Sequence, residues 1–234
     1  MKILVIIPAY NEEDSIERVI DNLVENYKEY DYVIINDGSQ DRTQEICEKR
    51  NYNYIHLPLN LGIGGGVQAG YLYASEKDYD IVVQMDGDGQ HNPAYIEALI
   101  KPIVDKGSDF TIGSRFIEKR GFQTSFMRRL GIKILQLVIK LCCGYNVSDA
   151  TSGFRAVSKN LIKFFCENYA HDYPEPEAIV SAILNGFKVK EVPVEMNERD
   201  GGESSINGFV SAHYMLKVSL ALLFYRMGTK RIKV

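Results

Sequence analysis

The sequence predicts an α/β fold, in which a Rossmann-like, mostly parallel sheet has helices on both faces. Within residues 1–115, short segments that are apolar throughout alternate with segments whose apolar residues recur at helical spacing. A strand covered on both faces has no solvent side, so uninterrupted apolar runs are typical of parallel sheets. Polar clusters directly follow three of these runs, and no linker, repeat or low-complexity segment interrupts the chain.

Five strands and four helices are predicted in this first part. The strands are residues 2–7, 31–36, 52–57, 80–85 and 109–114. The helices between them are residues 11–27, 39–50, 64–76 and 93–106. The first helix shows the pattern clearly, because Ile16, Val19, Ile20 and Leu23 fall on one helical face.

The regular alternation ends after residue 115. The elements predicted beyond it are a helix over 123–142, a strand over 153–158, a helix over 174–185, a strand over 188–196 and a helix over 209–226. We expect one domain over residues 1–234. In it, residues 116–208 are interwoven with residues 1–115, and residues 209–234 form an amphipathic helix with a basic tail.

Composition limits the classes of function. The net charge of −4 gives no global basic field, which argues against a general nucleic-acid-binding protein. The four cysteines lack CxxC spacing and are predicted to be reduced and structural. The apolar run before Pro8 is too short for the core of a signal peptide, so we expect a first strand and a cytoplasmic protein.

Three polar clusters follow the first, second and fourth predicted strands. Their sequences are "PAYNEE", "NDGSQD" and "DGDGQH". In open parallel sheets, ligands bind in the crevice at the carboxyl ends of the strands. The three loops are therefore predicted to converge on one ligand site.

Asp86 and Asp88 stand one glycine apart, directly after a buried strand. A calcium loop of the EF-hand type is disfavoured because His91 stands where the sharp turn requires glycine. A dinucleotide site is weakly indicated, because "GGGVQA" follows the third strand and not the first. Two interpretations remain, a solvated turn or a divalent metal bridging a nucleotide diphosphate. Mg²⁺ and Mn²⁺ suit the second, since carboxylates and substrate phosphates are their usual ligands.

Six segments together resemble a known family. They are "VIIPAYNEEDSI", "VIINDGSQDRT", "LNLGIGGGVQAG", "MDGDGQHNP", "GSRF" and "ATSGFRA". Their order and spacing resemble the family 2 glycosyltransferases of GT-A fold, and most of all the polyprenyl-phosphate sugar transferases of the dolichol-phosphate mannose synthase branch. The resemblance spans nearly all of residues 1–208. It implies an inverting transfer of a hexose from a UDP- or GDP-linked sugar to a polyprenyl phosphate, with Mg²⁺ or Mn²⁺ as cofactor.

The resemblance also implies roles for individual residues. Asp86, Asp88 and Arg115 stand at its catalytic positions, with Asp88 and Gln90 as metal ligands and residues 1–115 as the nucleotide-sugar half. The positions implied in nucleotide-sugar binding are Pro8, Ala9, Tyr10, Glu12, Ile35, Asp37, Asp86, Gly87, Asp88, Arg115 and Arg199. From the residues alone, Asp37 could instead cap the helix predicted near Ser39, and Arg199 could be a solvated charge.

The acceptor side of the site is expected in residues 116–208. An acceptor phosphate is already anionic and needs cations to hold it, whereas a sugar hydroxyl needs a general base. The acceptor residues expected are Arg128, Arg129, Ser152 and Glu177. The alternative function is extension of a saccharide with Glu177 as base, and a non-catalytic nucleotide-sugar-binding protein is a third possibility. Ser205 departs from the family, whose mannose branch commonly has lysine there.

Two basic, apolar segments predict contact with a membrane. Residues 119–145 contain six basic residues and no acid, and residues 201–234 contain five basic residues and one acid. A basic stripe on an apolar helix is typical of a segment in the membrane interface, although a core helix with one wet stripe has the same periodicity. The apolar run of residues 218–225 is too short to span a bilayer. We expect a peripheral protein at the inner face of the membrane, with a small partner protein as the candidate for its anchor.

Overall fold

The computed structural model describes residues 1–118, 126–197 and 208–228, and within these ranges the side chains of all residues except 126–130 and 208–214. Its strands form one seven-stranded sheet in the order β3-β2-β1-β4-β6-β5-β7. The strands are β1 (Ile3–Ala9), β2 (Asp31–Asn36), β3 (Tyr54–His56), β4 (Ile81–Gln84), β5 (Phe110–Ser114), β6 (Arg155–Ser158) and β7 (Val189–Pro193). Neighbouring strands are parallel, except that β6 is antiparallel to both β4 and β5.

Helices lie on both faces of this sheet, as the apolar strands predict. They are α1 (Ile16–Asn26), α2 (Thr43–Lys49), α3 (Gly62–Glu76), α4 (Ile96–Val104), α5 (Phe126–Cys143), α6 (Lys159–Asn168), α7 (Pro174–Leu184) and α8 (Gly208–Gly228). The side chains of α1, α2 and α4 pack on one face, and those of α3, α5, α6, α7 and α8 pack on the other. Alternate residues of β1 enter the two cores, with Leu4 and Ile6 in one and Val5 and Ile7 in the other.

The helix boundaries differ from the predicted ones where polar side chains bind the backbone first. Residues 39–42 form a turn before α2, and Asp41 Oδ1 accepts a hydrogen bond from the Thr43 N–H at 2.9 Å. A short 3₁₀ turn, Pro93–Tyr95, precedes α4. The sequence interpretation missed α6, although Leu161, Ile162 and Phe165 give it a buried face. This helix follows β6 directly, with no glycine or proline between them, so the sequence contains no turn signal at its start.

The antiparallel strand β6 determines how the second half of the chain reaches the sheet. Gln84 of β4 pairs with Arg155 of β6, and β5 pairs with β6 and β7 but not with β4. An antiparallel strand begins at the edge where its parallel neighbours end. The loop that leads into β6 therefore lies at the carboxyl edge of β4, where the ligand site is predicted.

Candidate active site

The turn that follows β4 is built around Asp88. Residues 86–91, called the aspartate turn below, lie at the carboxyl edge of the sheet. Gly89 has φ of 81°, in the left-handed region that glycine adopts without strain. Asp88 is largely buried, and its Oδ1 accepts a hydrogen bond from the Gln90 N–H at 2.9 Å. The backbone of Gln90 is thereby held next to the Asp88 carboxylate.

His91 closes the aspartate turn, and the sequence analysis missed this role. Its Nδ1 accepts a hydrogen bond from the Asp86 N–H at 2.9 Å, which assigns the ring proton to Nε2. Nε2 lies 3.7 Å from Asp86 Oδ2, and the ring stacks on Phe154 with a centroid distance of 4.8 Å. Burial lowers the pKa of His91 to about 4. A neutral imidazole therefore binds the backbone N–H of Asp86 and lies next to its carboxylate.

The first loop is joined to the aspartate turn through Ser15. Ser15 Oγ lies 2.8 Å from the Gly87 carbonyl oxygen and 2.9 Å from the Glu12 carboxylate. Glu12, one of the expected nucleotide-binding residues, is thus placed beside the turn. Pro8 and Ala9 lie in the last part of β1, and Tyr10 is exposed just beyond it. The Ile35 side chain is fully buried in the core between the sheet and α3, so it does not line the crevice.

Asp37 holds the start of a helix other than the one considered from the sequence. Its Oδ1 accepts a hydrogen bond from the Leu61 N–H at 2.7 Å, at the residue that precedes α3. The helix near Ser39 begins only at Thr43, where Asp41 binds the free N–H. Asp37 itself is buried, and its N–H donates a 2.9 Å hydrogen bond to the carbonyl oxygen of Ala9 at the end of β1.

Arg115 lies directly after β5 and is paired with an acid that sequence analysis did not single out. Arg115 Nε is 2.7 Å from Asp149 Oδ2, and Nη2 is 2.8 Å from Asp149 Oδ1. Nη2 also donates to Thr151 Oγ1 at 3.1 Å. Neither Arg115 nor Asp149 gave a local signal of the pairing, because 34 residues separate them.

The expected acceptor residues are only partly described. Ser152 is buried in the loop before β6, and Arg155 Nε donates to its carbonyl at 2.6 Å. Glu177 lies in the first turn of α7, where burial and then the charge of Asp172 raise its pKa to about 7. The side chains of Arg128 and Arg129, in the first turn of α5, lie outside the described residues, as does all of Arg199.

The two residues expected to bind a metal both carry oxygen ligands. Asp88 offers a carboxylate and Gln90 an amide oxygen in the same turn, and such donors suit Mg²⁺ or Mn²⁺. Within the ranges that the structure describes, no cluster of three or more His, Cys, Asp or Glu side chains could hold a metal ion alone.

Helices α5 and α8 pack side by side and expose apolar side chains. Leu137 and Leu141 on α5 and Phe224 and Met227 on α8 are all more than half exposed. Lys133, Lys140 and Lys217 are exposed on the same two helices. Across the described part of the chain, none of the helices combines the length and hydrophobicity that a membrane span requires.

Comparison with known proteins gives the family. Residues 4–165 match the model of Glycosyl transferase family 2. The chain belongs to this family and is a glycosyltransferase. It is 34% identical over 213 residues to the UDP-N-acetylglucosamine–dolichyl-phosphate N-acetylglucosaminyltransferase of Methanococcus voltae, covering 82% of this chain and 84% of that protein. It is 28% identical to the undecaprenyl-phosphate mannosyltransferase of Micrococcus luteus, covering 94% and 93%. The resemblance to the polyprenyl-phosphate sugar transferase branch is thereby confirmed.

A solved structure confirms the GT-A fold of this family 2 glycosyltransferase. The match is to glucosyl-3-phosphoglycerate synthase of Mycobacterium tuberculosis, crystallised with Mn²⁺, UDP and phosphoglyceric acid. The TM-score is 0.75, with 21% identity over 98% of this chain and 79% of that one. At this identity, the likeness speaks for the fold alone.

Proposed function

We propose that this family 2 glycosyltransferase moves a hexose from a UDP- or GDP-linked sugar to a polyprenyl phosphate, with inversion at the sugar carbon. The observation that supports the donor side most directly is the aspartate turn. It places Asp86, Asp88 and Gln90 at the carboxyl edge of β4, next to Glu12 of the first loop. The acceptor class is supported by the relatives named above, which act on dolichyl and undecaprenyl phosphates.

A divalent metal fits the residues of the aspartate turn. Asp88 and Gln90 would hold it beside the diphosphate of the donor. When bound, the metal neutralises charge on the leaving diphosphate. Asp86, held from below by His91, would face the ribose of the donor. Asp37 would accept an imide N–H, a group that uracil and guanine share.

The chain itself would position the two anions for in-line attack. A phosphate monoester acceptor is already a nucleophile, so no general base is required of the protein. Arg115, buried directly after β5 and held by Asp149, would place its guanidinium group at the edge where the donor phosphates are expected. Arg128, Arg129 and Ser152 are proposed to hold the acceptor phosphate, and Arg199 the donor. Binding two negatively charged substrates side by side requires such cations.

The exposed faces of α5 and α8 support action at a membrane surface. Leu141 is 71% exposed and Phe224 67% exposed, and basic side chains lie on the same helices. Apolar side chains flanked by lysines suit the interface of an anionic bilayer, where the acceptor lipid resides. We propose peripheral binding at the cytoplasmic face through this helix pair.

A transfer assay tests the proposal. The protein would be incubated with Mn²⁺, radiolabelled UDP- or GDP-sugars and vesicles containing undecaprenyl phosphate. We expect a lipid-soluble, acid-labile product with at least one donor. A thermal-shift screen of UDP-glucose, UDP-GlcNAc, UDP-galactose and GDP-mannose would first identify the donor. Donor binding with no product on any acceptor would instead indicate a nucleotide-sugar-binding protein without turnover.

The second candidate function is extension of a saccharide, and Glu177 favours it. A carboxyl with a pKa of about 7 is matched to general-base catalysis near neutral pH. This alternative predicts turnover on a soluble oligosaccharide and loss of that turnover in Glu177→Gln. A lipid-soluble product that forms equally well with Glu177→Gln would exclude it.

A further inference from the structure

We propose that Asp149 is a positioning residue, which fixes the Arg115 guanidinium in the orientation needed for transfer. The inference rests on the proposed function, in which Arg115 contacts phosphate. Two hydrogen bonds, at 2.7 and 2.8 Å, join the two side chains, one to each oxygen of Asp149. Arg115 is 5% exposed and Asp149 is fully buried, so water does not compete for the pairing. A bidentate pair fixes the plane of the guanidinium, which a single bond would leave free to turn.

Asp149 is itself held by a second carboxylate. Glu191 on β7 accepts hydrogen bonds from the Asp149 N–H at 2.8 Å and from the Ser148 N–H at 2.7 Å. Gln136 on α5 donates to the Ser148 carbonyl at 2.7 Å, and Ser114 Oγ on β5 lies 2.7 Å from Ser148 Oγ. Three elements of the fold thus fix the loop. A surface ion pair does not need a loop that is held by so many hydrogen bonds. A side chain that must keep a fixed orientation for catalysis does need such a loop.

The pair also lies next to the aspartate turn. The loop that carries Asp149 runs into β6 through Phe154, whose ring stacks on His91 with a centroid distance of 4.8 Å. His91 in turn contacts Asp86. Since Asp149 neutralises the guanidinium, Arg115 would act less through its net charge than through the fixed position of its guanidinium group. The loss of orientation, more than the loss of attraction, should therefore impair transfer.

The first test compares Asp149→Asn with Asp80→Asn, a matched change at an exposed ion pair on the opposite edge of the sheet. We expect Asp149→Asn to lower kcat by about 10²-fold while changing the Kd of the Mn²⁺-nucleotide complex by less than about 10-fold. Asp80→Asn should keep the wild-type kcat. Wild-type kcat in folded Asp149→Asn, whatever its melting temperature, would overturn the proposal.

The second test removes Arg115, so that none of its variants contains a buried arginine that has lost its partner. Arg115→Ala should lose transfer, and guanidinium ion at low millimolar concentration should restore part of it by occupying the vacated position. In Arg115→Ala/Asp149→Asn, the same ion should restore nothing, because the carboxylate that orients it is gone. Equal rescue of the single and double variants would contradict a positioning role. If Asp149 had only a structural role, replacing it would change the melting temperature, and guanidinium would rescue the single and double variants equally.

The two proposals fail in distinguishable ways. If the wild-type protein forms no lipid-linked sugar with any donor, the proposed function is wrong and the role of Asp149 falls with it. If the wild type is active but Asp149→Asn keeps the wild-type kcat, or guanidinium rescues the single and double variants equally, only the positioning role is wrong.

Discussion

Gly153 lies against Asp86 so closely that a Cβ atom on the glycine would stand 2.9 Å from Asp86 Oδ2. The same atom would lie 3.2 Å from Oδ1 and 3.3 Å from Gln84 Nε2. The antiparallel pairing of Gln84 with Arg155 explains the approach, because Asp86 lies two residues after Gln84 and Gly153 two residues before Arg155. The loop before β6 thus forms one wall of the aspartate turn.

Gly153→Ala should therefore displace the Asp86 carboxylate. A shift of about 1 Å at a reacting site can lower the rate by about 10²-fold, and we expect a loss of transfer of that order. Gly228→Ala is the matched control, since its Cβ would meet nothing within 4 Å. Rates of transfer and melting temperatures of both variants would be compared with the wild type. Full activity in Gly153→Ala would show that the Asp86 position is not critical.

Asp88→Asn tests the metal position directly. The asparagine Oδ1 still accepts the Gln90 N–H, so the turn should keep its shape. The lost charge should weaken Mn²⁺-dependent nucleotide binding in calorimetry and lower transfer by about 10²-fold or more. Without ligand, the melting temperature should stay the same or rise slightly, since repulsion from Asp86 is relieved. Normal turnover in this variant would place the metal elsewhere.

Glu177 should make stability depend on pH. Its raised pKa, about 7, means that the folded state holds this proton more tightly than the unfolded chain does. Stability is therefore lost as pH rises from the ordinary carboxyl pKa of 4.5 to about 7. Glu177→Gln removes this dependence. Its melting temperature should exceed that of the wild type most above pH 7 and least near the lower end of the window. A constant difference across this range would show that Glu177 titrates normally.

Charge on the exposed helix faces should weaken binding to vesicles. Leu141→Glu and Phe224→Glu each place an acid where an apolar side chain is mostly exposed. We expect both to reduce co-sedimentation with anionic vesicles while leaving nucleotide binding unchanged. Leu72→Glu, at a residue of α3 that is 52% exposed, is the control and should sediment like the wild type. Equal sedimentation of all three variants would exclude α5 and α8 as the membrane contact.

Local patterns were sufficient to predict the first half of the fold. The strands β1, β2, β4 and β5 are short, mostly apolar runs, and the helices between the predicted strands show regular spacing, so periodicity identifies them. β3, with the sequence YIH, is shorter and only partly buried. The position of the aspartate turn follows from the same information, because the carboxyl ends of parallel strands share one edge.

Contacts between distant residues could not be predicted. The Arg115–Asp149 pair and the approach of Gly153 to Asp86 depend on β6 running antiparallel between β4 and β5. Nothing in "GFRAVS" specifies its direction or its neighbours. The hydrogen bond between Asp37 and the Leu61 N–H is another such contact. Asp37 does not cap the nearer helix α2, because Asp41 already binds the Thr43 N–H there. Side-chain competition of this sort is decided by tertiary packing.

The ribosome releases β5 before either of its neighbours in the sheet has been made. β5 ends at Ser114, whereas β6 begins at Arg155 and β7 at Val189. At roughly 5–20 residues per second, β5 waits for seconds with both edges unpaired, and β4 waits with one. Phe110 and Ile112, fully buried in the finished protein, are exposed during this interval. A nascent chain stalled between β5 and β6 would therefore present unpaired strand edges that can pair with other chains.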